Sequence, residues 1–174
     1  MVNGQWSNYN GQLTTDKIVW EGTFMEKKES EDSIPIKTSH GVRHVDKKDI
    51  IHFKDGLFGF SGFTDFAIFD IKGCEPFKSM LSAVEGGPDF VVVEPASIFD
   101  DYSPLESINS PDELDIGIPG EIVVLSIVTL SEKPEDITIN LRGPLLVNLS
   151  TSQARQVILE NERYQTRSPM LVRE

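Results

Sequence analysis

Short hydrophobic runs recur along most of the chain, and glycine, proline or asparagine separates each run from the next. Runs of about four to eight residues that are rich in valine, isoleucine and phenylalanine are typical of β-strands. The pattern predicts strands at Ile34–Thr38, Ile50–Phe53, Phe66–Ile71, Phe90–Val93, Ile122–Leu130, Ile137–Asn140, Leu145–Asn148 and Arg155–Leu159. The run Ile122–Leu130 is almost continuously apolar, as expected for a strand that is buried on both faces or lies in a barrel wall.

Two short helices are predicted among these strands. The first spans Pro76–Val84, because proline favours the first helical turn and a glycine pair follows the segment. The second begins at Ser110, where Pro111 and Glu113 complete a capping box. Neither helix is long enough to connect parallel strands of a doubly wound sheet. The expected fold class is therefore mainly β, a small antiparallel or mixed β-barrel-like domain with two short helices.

The first 33 residues differ in composition from the rest of the chain. They combine a glycine- and asparagine-rich start with a charged linker, KKESED, at positions 27–32. Between these, Lys17–Phe24 has the aromatic and β-branched residues of an extra strand. The sequence thus predicts an N-terminal extension over residues 1–33 and a barrel domain over residues 34–174.

Acidic residues outnumber basic ones, 28 against 16, so the formal net charge is −12. The segment from Ser79 to Glu132 holds 11 of the acids and no lysine or arginine. Like charges repel, so this balance argues against direct binding of nucleic acid or of an anionic membrane. Two interpretations of the acidic segment stay open, a solvated face that keeps the protein soluble and a surface that attracts a basic partner.

The location expected from the sequence is the cytoplasm. No apolar run approaches the length of about 18 residues that a membrane-spanning helix needs. The start, MVNGQWSNYNGQ, lacks the basic and apolar regions of a secretory signal. Cys74 is the single cysteine, so the chain cannot form an internal disulfide, which suits a reducing compartment.

Residues that could carry chemistry are few. His40 and His44 have helical metal-ligand spacing, but their strand-like surroundings would hold them too far apart for one ion. Asp100 and Asp101 are adjacent carboxylates in a segment with the composition of a loop. If the protein were an enzyme, one of them would be its general base. Phosphate-binding, dinucleotide, nucleophile-elbow and zinc-protease motifs are absent. We expect no enzyme, no metal and no cofactor.

Several segments together resemble the FliW family, the flagellar assembly factors of bacteria. The resemblance runs from about Ile34 to Met170 and is carried by DIIHFKDGLFGF at 49–60, FVVVEP at 90–95 with FDDY at 99–102, VLSIVTL at 124–130, NLRGPLLVNL at 140–149 and RQVIL at 155–159, followed by Tyr164. Motifs in this order are more specific than any one alone. The family usually has proline where this chain has Lys54 and Phe58.

The resemblance implies a small β-barrel without catalytic activity. Such proteins bind flagellin in the cytoplasm, and alternatively the RNA-binding translational repressor CsrA. When flagellin is exported, the freed factor captures CsrA, which then releases the flagellin messenger. A repressor that binds RNA needs a basic surface, and the acidic segment is complementary to one. A small β-barrel enzyme and a structural flagellar subunit are the alternatives, and the net charge disfavours the second.

The residues expected to contact a partner fall into three groups. The first is a loop that joins aromatic anchors to acids, Phe99, Asp100, Asp101 and Tyr102. The second is the turn with Leu57, Phe58 and Phe60 on a glycine frame, whose side chains either cap a barrel end or protrude. The third is a polar rim, Asn140, Arg155 and Gln156, which either contacts a bound peptide chain or braces the barrel.

Overall fold

The computed structural model describes residues 32–38, 41–108 and 122–170. Its strands are β1 (Ser33–Thr38), β2 (Gly41–Asp46), β3 (Ile51–Phe53), β4 (Asp65–Asp70), β5 (Lys78–Ser82), β6 (Asp89–Val93), β7 (Ile122–Thr129), β8 (Thr138–Ile139), β9 (Leu145–Asn148), β10 (Gln153–Gln156) and β11 (Ser168–Pro169). Short 3-10 helices occupy Lys47–Asp49, Pro95–Ser97, Pro104–Ser107 and Pro134–Asp136. Across the three described ranges, no helix has both the length and the apolar character needed to cross a membrane.

Seven of the strands close into a barrel. Strands β3 to β7 pair antiparallel in chain order, and β7 then pairs with β9. Strand β9 pairs with β10, and the parallel pair of β10 with β3 closes the ring. Because a closed ring of strands leaves no unpaired edge in the wall, the barrel satisfies its own backbone hydrogen bonds. The predicted mainly β, mixed barrel is confirmed.

On the side away from β6, strand β7 pairs with two different strands along its length. Its first half, Ile122–Leu125, lies against β9, whereas Val128 and Thr129 pair with the short strand β8. Strand β8 in turn pairs with β11. The wall therefore forks between β8 and β9, and residues 140–144 connect the two sides of the fork.

Side chains alternate between the barrel interior and its outer surface, as the two-residue period of a strand requires. In β6, Phe90 and Val92 pack in the interior cluster, while Val91 and Val93 pack outside. The buried interior cluster consists of Phe53, Leu57, Phe66, Met80, Val92, Leu125, Leu145, Val147 and Ala154. Apolar residues on both faces of the wall mean that further elements cover its outside.

Two layers cover the outer face of the wall. The β1–β2 hairpin places Ile36 and Val45 on Ala67 and Leu81, which belong to β4 and β5. A second layer of loops packs on β6, β7 and β8 through a cluster of Ile71, Phe77, Val93, Tyr102, Val128, Ile137, Ile139, Leu141, Leu159 and Tyr164. This second layer holds the segment 98–108 in place.

The predicted helix at Pro76–Val84 is wrong, because β5 occupies its centre. Strand β5 lies between β4 and β6 and pairs with both, so Met80 faces the interior and Leu81 the outer layer. Tertiary pairing therefore overrides the local helix signal. The second predicted helix, from Ser110 to residue 117, lies outside the described residues, as do residues 1–31. The division at residue 33 stays a prediction.

Candidate functional site

The interior cluster reaches the surface at one end of the barrel. Phe53, Phe66, Phe90 and Phe60 follow one another with ring centroids 5.5, 6.3 and 5.3 Å apart. Beyond Phe90 the surface opens into a groove of about 580 Å³. The groove is lined by Leu57, Phe58, Phe60, Phe90, Ile127, Thr129, Asn140, Arg142, Gly143, Gln156, Ile158, Thr166 and Arg167.

A tight turn builds one wall of the groove. The backbone N–H of Phe60 donates to the Leu57 carbonyl at 2.7 Å, and Gly59 has φ +83°, as the third position of a type II turn requires. Leu57 points into the barrel with 2% exposure, whereas Phe58 is 56% and Phe60 40% exposed. The sequence left open whether these side chains cap the barrel end or protrude from it. Leu57 caps the barrel end, whereas Phe58 and Phe60 protrude.

Gly56, just before this turn, has φ +67°. A Cβ at this position would lie 2.8 Å from the Cα of Ser61, closer than real Cβ contacts allow. Glycine is needed here because the two chain segments of the turn cross at backbone distance. The glycine frame of the motif thus fixes where the phenylalanine rings emerge.

A single buried amide connects the two walls of the groove. Gln156, 8% exposed, accepts a hydrogen bond from the Phe58 backbone N–H at 2.9 Å through Oε1. Its Nε2 donates to the Gly143 carbonyl at 3.0 Å. On the same loop, Asn140 Oδ1 accepts from the Gly143 N–H at 2.8 Å. Asn140 and Gln156 therefore brace the site, and direct contact with a partner stays a prediction for both.

The charged residues that line the groove are both arginines, Arg142 and Arg167, and both are exposed. The Leu141 and Arg142 N–H groups donate to the Gln165 carbonyl at 3.0 and 3.2 Å, which brings the segment with Arg167 to the rim. Arg155, the third predicted rim residue, lies outside this lining. Its guanidinium is 3.3 Å from the Asp55 carboxylate.

The Phe99–Tyr102 loop has a different environment. Tyr102 is 7% exposed, its hydroxyl donates to the Leu141 carbonyl at 2.9 Å, and its ring meets that of Tyr164 edge-on at 4.9 Å. Burial raises the pKa of the Tyr102 phenol. Phe99 is half-buried on the same cluster. The Tyr102 hydroxyl therefore finds its hydrogen-bond partner inside the outer layer, and the predicted contact of Tyr102 with a partner protein stays a prediction.

Asp100 and Asp101 are the exposed members of that loop. The Asp101 carboxylate accepts a hydrogen bond from the Arg163 guanidinium. Their predicted role in binding a partner is not decided by this geometry and stays a prediction. The exposed groups of the loop are these two carboxylates and part of Phe99, whereas the Tyr102 side chain is buried.

The described part of the acidic segment does not form one continuous patch. Glu85 and Asp89 lie at the start of β6, and the Lys37 ammonium contacts the Glu85 carboxylate at 2.7 Å. The antiparallel pairing of β6 with β7 places Glu132 toward that same end. The acids after β6 are Glu94, Asp100, Asp101 and Glu106, and the acids outside the described residues are Asp112, Glu113, Asp115 and Glu121. The described acids of this segment are therefore divided between the two ends of β6.

The histidines do not come together around a metal position in the described ranges. His44 is exposed on β2, and His40 lies outside the described residues. His52 Nδ1 is 2.9 Å from Asp65 Oδ1 on the neighbouring strand. Within residues 32–38, 41–108 and 122–170, no three histidine, cysteine or acidic side chains are grouped as metal ligands.

Comparisons with known proteins cover the whole barrel. The family model of the FliW protein matches residues 35–170. The flagellar assembly factor FliW of Clostridium beijerinckii is 32% identical over 136 residues, which cover 78% of this chain and 96% of the relative. The chain belongs to the FliW family. A FliW relative from Clostridium botulinum strain Alaska E43 is 35% identical over 125 residues, 72% of this chain and 89% of its own.

The fold comparison agrees with this family. A crystal structure of the flagellar assembly factor FliW matches with a TM-score of 0.69 and 28% sequence identity. The match covers 80% of this chain and 97% of that structure. All residues that line the groove, from Leu57 to Arg167, lie within the segment matched by the FliW family model. The predicted family resemblance is confirmed.

Part of the groove lining could be predicted from the sequence, and the rest could not. Leu57, Phe58, Phe60, Asn140 and Gln156 were predicted and line it. The residues that were not predicted are Phe90, Ile127, Thr129, Arg142, Gly143, Ile158, Thr166 and Arg167. A signal existed for Ile158, because an apolar residue beside the buried Leu159 has to face the other way along an extended chain. For Arg167 no local signal existed.

Proposed function

We propose that this chain is a cytoplasmic flagellar assembly factor that acts by binding other proteins. Its partners are flagellin and, alternatively, the CsrA-type translational repressor. The observation that carries the proposal is the family match over residues 35–170, with curated relatives that are flagellar assembly factors. Flagellin engages the factor while it awaits export, and its departure frees the factor for the repressor. Translation of the flagellin messenger then resumes.

The groove supports a binding role. Protein-binding sites combine exposed aromatic or aliphatic anchors with a polar rim, and this groove has Phe58 and Ile158 beside Arg142. The enzyme alternative relied on Asp100 or Asp101. Both carboxylates are exposed on the surface, away from the groove lining, and the Asp101 carboxylate is held by Arg163. This placement favours an interaction surface over a catalytic base.

The acids after β6 are proposed to attract the repressor. A protein that binds RNA presents positive charge, and carboxylates docked beside it repel incoming phosphates. Such attraction between exposed charges acts over roughly 8 Å at physiological salt. The affinity for the repressor should therefore fall as the salt concentration rises, and an affinity that does not depend on salt removes the electrostatic part of the mechanism.

The test is calorimetric titration of the chain with purified flagellin and with the CsrA-type repressor, separately and in competition. Each partner should bind, and each should displace the other. Replacing Asp100 and Asp101 together by lysine should weaken repressor binding by about tenfold, as reversal of rim charges does. The matched control is Glu135→Lys with Asp136→Lys, an adjacent exposed pair outside the acidic segment. Equal losses in the two variants would place the repressor site elsewhere, and no binding of either protein contradicts the proposed function.

A further inference from the structure

The rim of the groove has the opposite sign to the protein as a whole. The net charge is −12, yet the charged side chains in the groove lining are Arg142 and Arg167. Neither guanidinium has an ion pair in the described ranges. The nearby Arg155, by contrast, is held by Asp55. Among the residues that the structure describes, two exposed cations without carboxylate partners therefore lie beside the apolar part of the groove.

Across the described residues, the apolar floor of the groove, formed by the side chains of Phe58, Phe60 and Ile158, stays exposed. Phe58, Phe60 and Ile158 are 56%, 40% and 61% exposed, although each contacts the groove. Large apolar side chains grouped at a concave surface gain free energy when a partner removes them from water. At about 580 Å³ the groove is within the range of about 300–1,000 Å³ that is usual for small-ligand pockets, which is enough space for a few side chains of a partner.

We propose that this groove binds a polypeptide segment that places large apolar side chains on Phe58, Phe60 and Ile158 and carboxylates on Arg142 and Arg167. The inference rests on the proposed function, since it assigns a site to one of the two proteins that the chain binds. Charge complementarity selects the occupant. A basic RNA-binding surface is repelled by this rim, so the groove belongs to flagellin and the repressor contacts other residues. The mutual displacement expected above then comes from overlap between the two bound proteins and not from a shared groove.

The first experiment reverses the rim charges in the full chain. R142E/R167E is compared with K72E/K133E, which changes two exposed lysines outside the groove and alters the net charge equally. In calorimetric titration with flagellin, the affinity should fall by at least about tenfold for R142E/R167E and by less than about threefold for K72E/K133E. Repressor affinity should change equally in the two variants.

The second experiment tests the apolar floor. Ile158→Ser removes an anchor of the groove, and Leu149→Ser changes a side chain of similar exposure, 57%, outside it. Both side chains are exposed, so both variants should keep the stability of the wild type. Flagellin binding should fall by about tenfold only in Ile158→Ser. Equal effects on binding would overturn the assignment of the floor.

The remaining outcomes separate the inference from the proposed function. If the wild type binds flagellin and both charge variants lose the same amount of flagellin affinity, the inference is overturned while the proposed function stands. A loss of repressor binding that occurs only in R142E/R167E also overturns the inference. If the wild type binds neither protein, the proposed function fails, and short leucine- and phenylalanine-rich peptides flanked by glutamate or by lysine decide the inference. The inference is supported if the wild-type chain binds the glutamate-flanked peptide more tightly and R142E/R167E binds the lysine-flanked peptide more tightly. It is overturned if the wild-type chain binds both peptides equally.

A second copy of this chain is the competing occupant of the groove. Sedimentation velocity of the wild type and of R142E/R167E tests this directly. A wild-type dimer that the variant dissociates would mean that the groove is a self-association surface, and the proposal would fail. A monomer in both cases leaves the groove open to a different protein, as proposed.

Discussion

The turn at 57–60 and the loop at 99–102 are both short, aromatic and without regular strand structure, but they differ in whether their aromatic rings are exposed or buried. The turn exposes Phe58 and Phe60 at the mouth of the barrel. The loop buries Tyr102, whose hydroxyl donates to the Leu141 carbonyl. Because Leu141 precedes Arg142, the loop supports the groove from behind. One segment forms a wall of the groove and the other holds the opposite wall in position.

The difference shows that composition does not decide whether an aromatic loop faces a partner. Tyrosine is buried readily when its hydroxyl reaches an acceptor, and the carbonyl of Leu141 is that acceptor. Phe58 and Phe60 have no such polar atom, and their direction is fixed by the backbone. The backbone at Gly56 lies too close to the Ser61 backbone for any Cβ, which restricts the path of the chain through the turn.

The largest effect expected from this comparison is on folding. Tyr102→Ala should lower the free energy of unfolding by about 3–5 kcal/mol, the usual cost of truncating a buried aromatic residue. Phe58→Ala should cost less than about 1 kcal/mol, because its ring is mostly in water and its N–H still reaches Gln156. Urea unfolding followed by circular dichroism measures both values. Equal costs would mean that the two loops do not differ as described.

An intermediate effect is expected where the two walls meet. Gln156→Leu removes the hydrogen bonds to the Phe58 N–H and the Gly143 carbonyl, and should cost about 2–3 kcal/mol by leaving both groups without a partner. Gln153→Leu, on the same strand, is the control and should cost well under about 1 kcal/mol. Denaturant midpoints give the comparison. If Gln153→Leu proved as costly, the loss would come from the strand rather than from the amide.

The smallest effect concerns the phenol alone. Tyr102→Phe keeps the packed ring and should cost about 1 kcal/mol for the lost hydrogen bond. Burial raises the pKa of Tyr102 in the folded state, so its contribution is complete below the ordinary tyrosine pKa of about 10 and is lost as the pH rises above it. The stability difference between wild type and variant should therefore shrink at alkaline pH. A difference that grows with pH would contradict the burial of this phenol.

Most of the barrel could be predicted from the sequence because its strands carry their own signal. Asp89–Val93 and Leu145–Asn148 are apolar runs between turn residues, and they were placed within a residue of the observed strands. Lys78–Ser82 has no such signal, since KSML has no strict alternation and a proline precedes it. Its strand conformation comes from pairing with β4 and β6, which are distant in the sequence.

The groove could be predicted only in part for the same reason. Phe58 and Gln156 lie in segments whose composition marks them, but their hydrogen bond joins residues that are 98 positions apart. Arg167 arrives at the rim because the Gln165 carbonyl accepts from Leu141 and Arg142. Long-range hydrogen bonds of this kind leave no trace in local pattern. The sequence therefore indicates which segments matter and not which side chains meet.

The most direct test of a partner site at the barrel mouth is hydrogen–deuterium exchange of the chain with and without flagellin. The amides of residues 57–61 and 140–143 should exchange more slowly in the complex, because the partner would cover both walls of the groove. Those of residues 98–106 should change little. Protection confined to residues 98–106, with none at the groove, would contradict the account.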